Sequence, residues 1–120
     1  MRKTVLIVDD SSTIRKLVTL VVKAMGHRSV TAADGLEALA LMSNTMVDLV
    51  ITNLNMPNFD GYQLIRSIRK DYMNEEVPII ILTSEDDPKS VQMGYDVGAN
   101  SYIMKPFVPD VLQAEIRKYL

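Results

Sequence analysis

Cysteine and tryptophan are absent from the 120 residues, and histidine occurs once. Without cysteine there is no disulfide framework, no thiolate nucleophile and no cysteine-based zinc site. The same absence fits a reducing compartment. Long apolar runs are missing too: none approaches the roughly 20 residues that a membrane span needs. The short strand that follows Met1, Arg2 and Lys3 cannot supply a signal-peptide core of about 7–15 residues. A cytoplasmic location is the expectation. Charge of one dominant sign is also lacking. A net charge of -2 and a pI near 5.3 provide no general attraction to nucleic acid or anionic lipid. No linker, repeat or low-complexity segment interrupts the chain, and neither G-x-G-x-x-G nor G-x-x-x-x-G-K-[ST] occurs.

What is present is the balance of an ordinary globular domain, 48% hydrophobic and 23% charged. The length suits one domain spanning 1–120. "TVLIV" (Thr4–Val8), "LVIT" (Leu49–Thr52) and "IIILT" (Ile79–Thr83) are continuous aliphatic runs, the mark of strands covered on both faces. "RSVTA" (Arg28–Ala32) and "SYIM" (Ser101–Met104) are more mixed, as edge strands are. Ser11 or Ser12 can cap a helix running to about Met25, with Gly26 as its stop. Asp34 with Glu37, and Asp60 with Gln63, match capping boxes. Asp87-Pro88 starts another helix, and Val108-Pro109 a last one without a capping oxygen. The first helix repeats apolar residues at Ile14, Leu17, Val18, Val21 and Val22. Five βα units in succession predict an α/β fold, with a parallel sheet between helical layers and right-handed crossovers.

Ligands of such a sheet bind beyond the carboxyl ends of its strands. There the chain places Asp9 and Asp10, then Asn53, then Thr83 with Ser84 and Glu85, and finally Lys105 before Pro106. Taken singly, each has an ordinary explanation. Acids favour a helix N-terminus, a threonine ends many strands, and a lysine on a loop is usually solvated. Their convergence on one edge carries more weight. Adjacent carboxylates suit a hard cation, and Mg²⁺ takes one or two carboxylates with water and a phosphate oxygen. A lysine and a hydroxyl opposite that cation would hold the remaining phosphoryl oxygens. The site reads as one for phosphoryl transfer that lacks its acceptor.

"VLIVDDSSTIRKL", "DLVITNLNMPNFDGYQLI", "PIIILTSEDD" and "GANSYIMKPF" resemble the signature segments of response-regulator receiver domains, particularly CheY-like ones, over essentially the whole chain. The resemblance, rather than the residue pattern, implies a flavodoxin-like (βα)5 sandwich with strand order 2-1-3-4-5, an order for which CheY is itself the standard example. It implies that Asp9, Asp10 and the Asn55 carbonyl hold Mg²⁺, with residue 53 as a further ligand. Thr83 and Lys105 would hold the phosphoryl group, across a cis Lys105-Pro106 bond. Tyr102 would be the switch residue, turning inward as Thr83 moves. Asn55 and Glu85 would tune hydrolysis of the acyl phosphate. Phosphate would come from a histidine kinase or histidine phosphotransfer domain. A downstream protein would dock on the helix 4–strand 5–helix 5 face, including Lys89, Gln92, Tyr95, Tyr102 and Gln113.

Asn53 departs from this pattern, because the family's acceptor there is aspartate. The amide oxygen's lone pairs are delocalised into the C–N bond, so it is a poor nucleophile. Asn53 also removes a negative charge worth up to roughly 4 kcal/mol at about 4 Å and an effective dielectric near 20. No acyl phosphate and weaker Mg²⁺ binding are therefore expected. Three readings remain open: a receiver whose acceptor was substituted, an atypical receiver acting as a phosphorylation-independent interaction module, and an unrelated enzyme on the same fold. The intact Asp9, Asp10, Thr83 and Lys105 favour the first, a signalling switch rather than a metabolic enzyme. The initiating methionine and a final helix reaching Leu120 suggest a stand-alone protein. His27 reads as a surface or cap residue. Arg66, Arg69 and Lys70 read as complements to a helix macrodipole, and the eight methionines as core filler.

Overall fold

The computed structural model describes residues 2–120, so Met1, used above for the stand-alone expectation, lies outside the described residues. The aliphatic runs form strands β1 (Thr4–Val8), β3 (Leu49–Thr52) and β4 (Ile79–Thr83), and the mixed runs form β2 (Arg28–Ala32) and β5 (Ser101–Met104). All pairings are parallel and the order is β2-β1-β3-β4-β5, which puts the two mixed strands at the edges. The helices are α1 (Ser12–Ala24), α2 (Gly35–Met42), α3 (Gly61–Lys70), α4 (Pro88–Asp96) and α5 (Pro109–Arg117).

Side chains alternate across a strand, so each central strand feeds two cores. Val5, Ile7, Leu49, Ile51, Ile80 and Leu82 meet Val18, Val22, Leu112 and Ile116 of α1 and α5. Leu6, Val8, Val50, Ile79 and Ile81 meet Ala38, Met42, Leu64, Ile65 and Ile68 of α2 and α3. Each fully buried aliphatic side chain contributes about 1.5–3 kcal/mol of transfer free energy. The two cores hold the sheet rigid, and a rigid sheet fixes the positions of the residues at its carboxyl edge.

The helix starts follow their side chains. Ser11, Asp34, Asp60 and Asp87 each accept the backbone N–H three residues on, and Val108 makes no side-chain cap. Only Asp60 with Gln63 closes both halves of its capping box; at Asp34 the return bond from Glu37 is missing. Helix α4 rests on the sheet through Gly94. A Cβ there would stand 2.7 Å from Ile81 Cδ1 and 3.3 Å from the Tyr102 ring.

Several expectations change. Leu17, at a core-spaced position of α1, is 46% exposed beside Phe107 and Pro109. Met46 and Met73 are not core filler, since both stand in solvent. His27 is half-buried, and its Nδ1 accepts the Lys3 N–H at 3.1 Å. Arg69 does more than face the end of α3. Its Nε and Nη2 donate to Gly98 O at 3.0 and 2.8 Å, and its Nη1 donates to Glu75 O and Val77 O at 3.0 and 2.6 Å. Nη2 also reaches Asn100 Oδ1, which accepts the Ile79 N–H as well. One guanidinium thus ties α3 to two loops, and burial pushes its pKa down.

Candidate functional site

The carboxyl ends of β1, β3, β4 and β5 lie side by side, the first delivering two polar residues and the others one each. Asp9 is 2% exposed, Asn53 8% and Thr83 0%, whereas Asp10 is open to solvent. Lys105 comes in from beyond β5 and its Nζ meets Asp9 Oδ2 at 2.7 Å. The Lys105-Pro106 peptide is cis, as the resemblance implied. Asp9 Oδ1 accepts the Ser11 N–H at 3.0 Å, so α1 begins on the carboxylate that Lys105 neutralises. Residues from four separate stretches of the chain, Asp9-Asp10, Asn53, Thr83 and Lys105, therefore share one edge.

The loop after β3 is tight. Gly61 N donates to Leu54 O at 2.8 Å, and a Cβ on Gly61 would come within 2.8 Å of Leu54 Cα, which is backbone and cannot yield. Asn58 takes a left-handed φ of 68°, a conformation that asparagine tolerates better than most residues. Within this loop both ends of the Asn53 amide are engaged. Oδ1 accepts the Leu54 N–H at 2.8 Å, and Nδ2 donates to Asn55 O at 3.1 Å. The donor on Leu54 fixes which end is oxygen, so the amide nitrogen must face the Asn55 carbonyl.

A second chain of bonds leads away from the site. Asn55 Nδ2 donates to the Glu85 carboxylate, bridging the loops after β3 and β4. The Glu85 carbonyl accepts the Tyr102 hydroxyl at 2.7 Å, and the Glu85 N–H makes a long contact of 3.4 Å to Thr83 Oγ1. Tyr102 is half-buried, and its ring lies 6.4 Å from that of Tyr95. Burial, reinforced by Tyr62, Glu85, Asp87 and Asp86, pushes its phenol up to about 12.

The hard oxygen donors at this edge are the carboxylates of Asp9 and Asp10 and the carbonyl of Asn55, the first engaged by Lys105 and the last by the Asn53 amide. That set fits Mg²⁺, which takes one or two carboxylates. It is lean, and among the described residues no group of three or more acidic, histidine or cysteine side chains is placed to hold a metal. The Asn53 amide adds a donor rather than an acceptor on the third oxygen.

Two supports of the edge stand outside the residues expected from the sequence. Arg15 Nη1 donates to Asp9 O at 2.7 Å, and Asn58 Nδ2 donates to Asp34 Oδ2 at 3.0 Å, linking the third-strand loop to α2. A base in the second turn of a helix that follows an acidic pair was the available signal for Arg15. No local pattern foretold Asn58.

A doubly wound α/β domain with a polar cluster at the carboxyl edge of its central strands is a receiver-type architecture, and the comparisons agree. The family model for the response regulator receiver domain matches residues 5–117. The chain belongs to that family. It is 44% identical over 119 residues to a probable transcriptional regulator ycf27 of Guillardia theta, covering 99% of this chain and 46% of that protein. The chain thus spans about half the length of such curated relatives. Chemotaxis protein CheY4 of Vibrio cholerae superposes with a TM-score of 0.94 at 36% identity, over 100% of both chains. The receiver domain of sensor histidine kinase PA1611 of Pseudomonas aeruginosa, 26% identical with a TM-score of 0.91 over 99% and 98%, holds a magnesium ion coordinated in its active site cleft.

Proposed function

We propose that this receiver works in a two-component pathway, in the cytoplasm, with residue 53 at the position where a phosphoryl group is normally accepted and with Asn53 unable to accept it. In this reading one domain spans 1–120. Asp9, Asp10 and the Asn55 carbonyl hold Mg²⁺, with residue 53 as the remaining and weakened ligand. The cation would neutralise charge on a phosphoryl group at the edge. Thr83 donates to a phosphoryl oxygen, and Lys105 turns its ammonium from Asp9 toward the phosphoryl charge. A histidine kinase or phosphotransfer domain is the upstream partner, and the α4–β5–α5 face, with Lys89, Gln92, Tyr95, Tyr102 and Gln113, receives the downstream one. Neither nucleic acid nor membrane is a direct ligand of this domain.

The observation that carries this reading is the Lys105–Asp9 pair beside a buried Asn53 at the end of β3. An ammonium and a buried carboxylate are assembled around a residue that has no nucleophilic oxygen. The test is incubation of the chain and of Asn53→Asp with Mg²⁺ and acetyl phosphate, followed by mass measurement. Asn53→Asp gains one phosphoryl group and the present chain gains none. A phosphoryl adduct at Asn53 overturns the reading.

One observation favours a second reading, a phosphorylation-independent interaction module. Both ends of the Asn53 amide are satisfied, and Tyr102 already bonds inward to Glu85. If Asn53→Asp also refuses phosphate, this second reading replaces the first.

A further inference from the structure

The edge of the sheet opposite the site carries the most exposed large apolar side chains of the described residues: Met46 at 89%, Tyr72 at 84% and Met73 at 81%. Contiguous exposed apolar groups mark interaction surfaces. These three stand on the α2–β3 and α3–β4 connections. Met46 and Met73 line one shallow cavity of 740 Å³ together with Val77 and Glu76. A neighbouring cavity of 770 Å³ on the same edge is lined by Arg2, Lys23, His27 and Arg28. Thr45 lines both, so the two adjoin.

The strand order lays these features out in a row. The basic group sits at the start of β2 and the end of α1. The α2–β3 loop lies in the middle. The α3–β4 loop, with exposed Glu75 and Glu76, sits on the far side. From β2 to β4 is three strand spacings, about 14 Å. Lys23, Arg28, Glu75 and Glu76 are all exposed, and none joins an ion pair among the described residues. Nearby charges of the other kind are few. On the acidic side, Arg69 is engaged with carbonyls and Lys70 is exposed. On the basic side, Asp48 accepts the Thr4 N–H.

We propose that this edge is a two-fold interface with a second copy of this chain. The basic side of each copy lies on the acidic side of the other, and Met46 sits near the axis. A two-fold contact requires a self-complementary patch, and opposite charges flanking an apolar middle provide one. The acidic loop is ordered in advance, because Arg69 holds the carbonyls of Glu75 and Val77. Preordering lowers the entropic cost of docking. The contact leaves the polar edge and the α4–β5–α5 face open. A row only about 14 Å long makes a small contact, and a small contact is weak and concentration-dependent.

Sedimentation velocity on the whole chain tests this from roughly 10 μM to 1 mM, a range matched to weak association. The chain moves from monomer to dimer across that range, less so in high salt. Lys23→Glu with Arg28→Glu makes the edge predominantly acidic, with Arg2 and Lys70 remaining, and Glu75→Lys with Glu76→Lys makes it predominantly basic, with Asp48 remaining. Each double variant weakens self-association by at least about tenfold. Their equimolar mixture restores the dimer, because an acidic edge then meets a basic one. Circular dichroism checks that both variants fold, which their exposure favours. Monomer throughout, double variants that associate like the parent, or a mixture that stays monomeric each overturns the proposal. So does a dimer abolished by Lys89→Glu on α4 and untouched by the edge variants.

Discussion

At the scale of single residues, Asn53 and Tyr102 show how one polar group can set a site's behaviour. The Asn53 amide places its own N–H on the Asn55 carbonyl, the oxygen that the proposed function gives to Mg²⁺. Turning the amide over would present an oxygen to the cation, but it would deprive the Leu54 N–H of its acceptor. A buried donor left unpaired costs about 1–3 kcal/mol. Tyr102 offers an independent measurement. An unfolded tyrosine loses its proton near 10, whereas burial and the acids around Tyr102 move it to about 12. Between those values the native state binds the proton more firmly than the unfolded state does. The stabilisation is complete below pH 10 and is lost as pH rises through about 12. The phenolate absorbance difference between the chain and Tyr102→Phe should show that late transition. Ionisation near pH 10 would mean that the ring is not held inward against Glu85.

At the scale of elements, the Arg69 clamp joins α3 to the loops before β4 and β5. Truncation in Arg69→Ala leaves the carbonyls of Val77 and Gly98 without their donor. Hydrogen bonds from a charged group contribute about 1.5–3 kcal/mol each, with strong overlap between them. A loss of about 2–4 kcal/mol is expected, or roughly 8–16 °C in Tm, measured by thermal or urea unfolding. Arg69→Lys restores less than half of it, since an ammonium cannot span both carbonyls. If both variants unfold like the parent, the clamp is ornamental. The clamp also marks the limit of what was legible in the sequence. The strands were legible because unbroken aliphatic runs have few alternatives, and the caps because Ser11, Asp60 and Asp87 act on neighbours three residues away. The partners of Arg69 lie 6, 8, 29 and 31 residues away, on loops whose meeting depends on sheet order. A macrodipole was the only local explanation for that residue. Met46 and Met73 were misplaced for a related reason: composition assigns methionine to cores and says nothing about a particular loop. At the site, each strand-end residue could be placed at the edge, but not the direction in which the Asn53 amide points.

At the scale of the whole molecule, the two cores hold the polar edge whether or not a cation is bound, so metal should matter little to the folding of this chain. Asn53→Asp changes that. It adds a third carboxylate beside Asp9 and Asp10 and removes the N–H that satisfies Asn55 O. Without metal, the variant should be less stable at neutral pH by about 1–2 kcal/mol, from like-charge repulsion and a lost hydrogen bond. Mg²⁺ then acts by mass action on the folded state alone. At a concentration 100 times its dissociation constant it adds about 2.7 kcal/mol. If the present chain binds a hundredfold more weakly, the same concentration adds only about 0.4 kcal/mol. Thermal unfolding across a Mg²⁺ titration separates the two proteins. The Asn53→Asp curve starts lower, climbs with Mg²⁺ and crosses the nearly flat curve of the parent. Parallel curves would mean that residue 53 has no part in holding the cation, and that Asp9, Asp10 and Asn55 suffice without it.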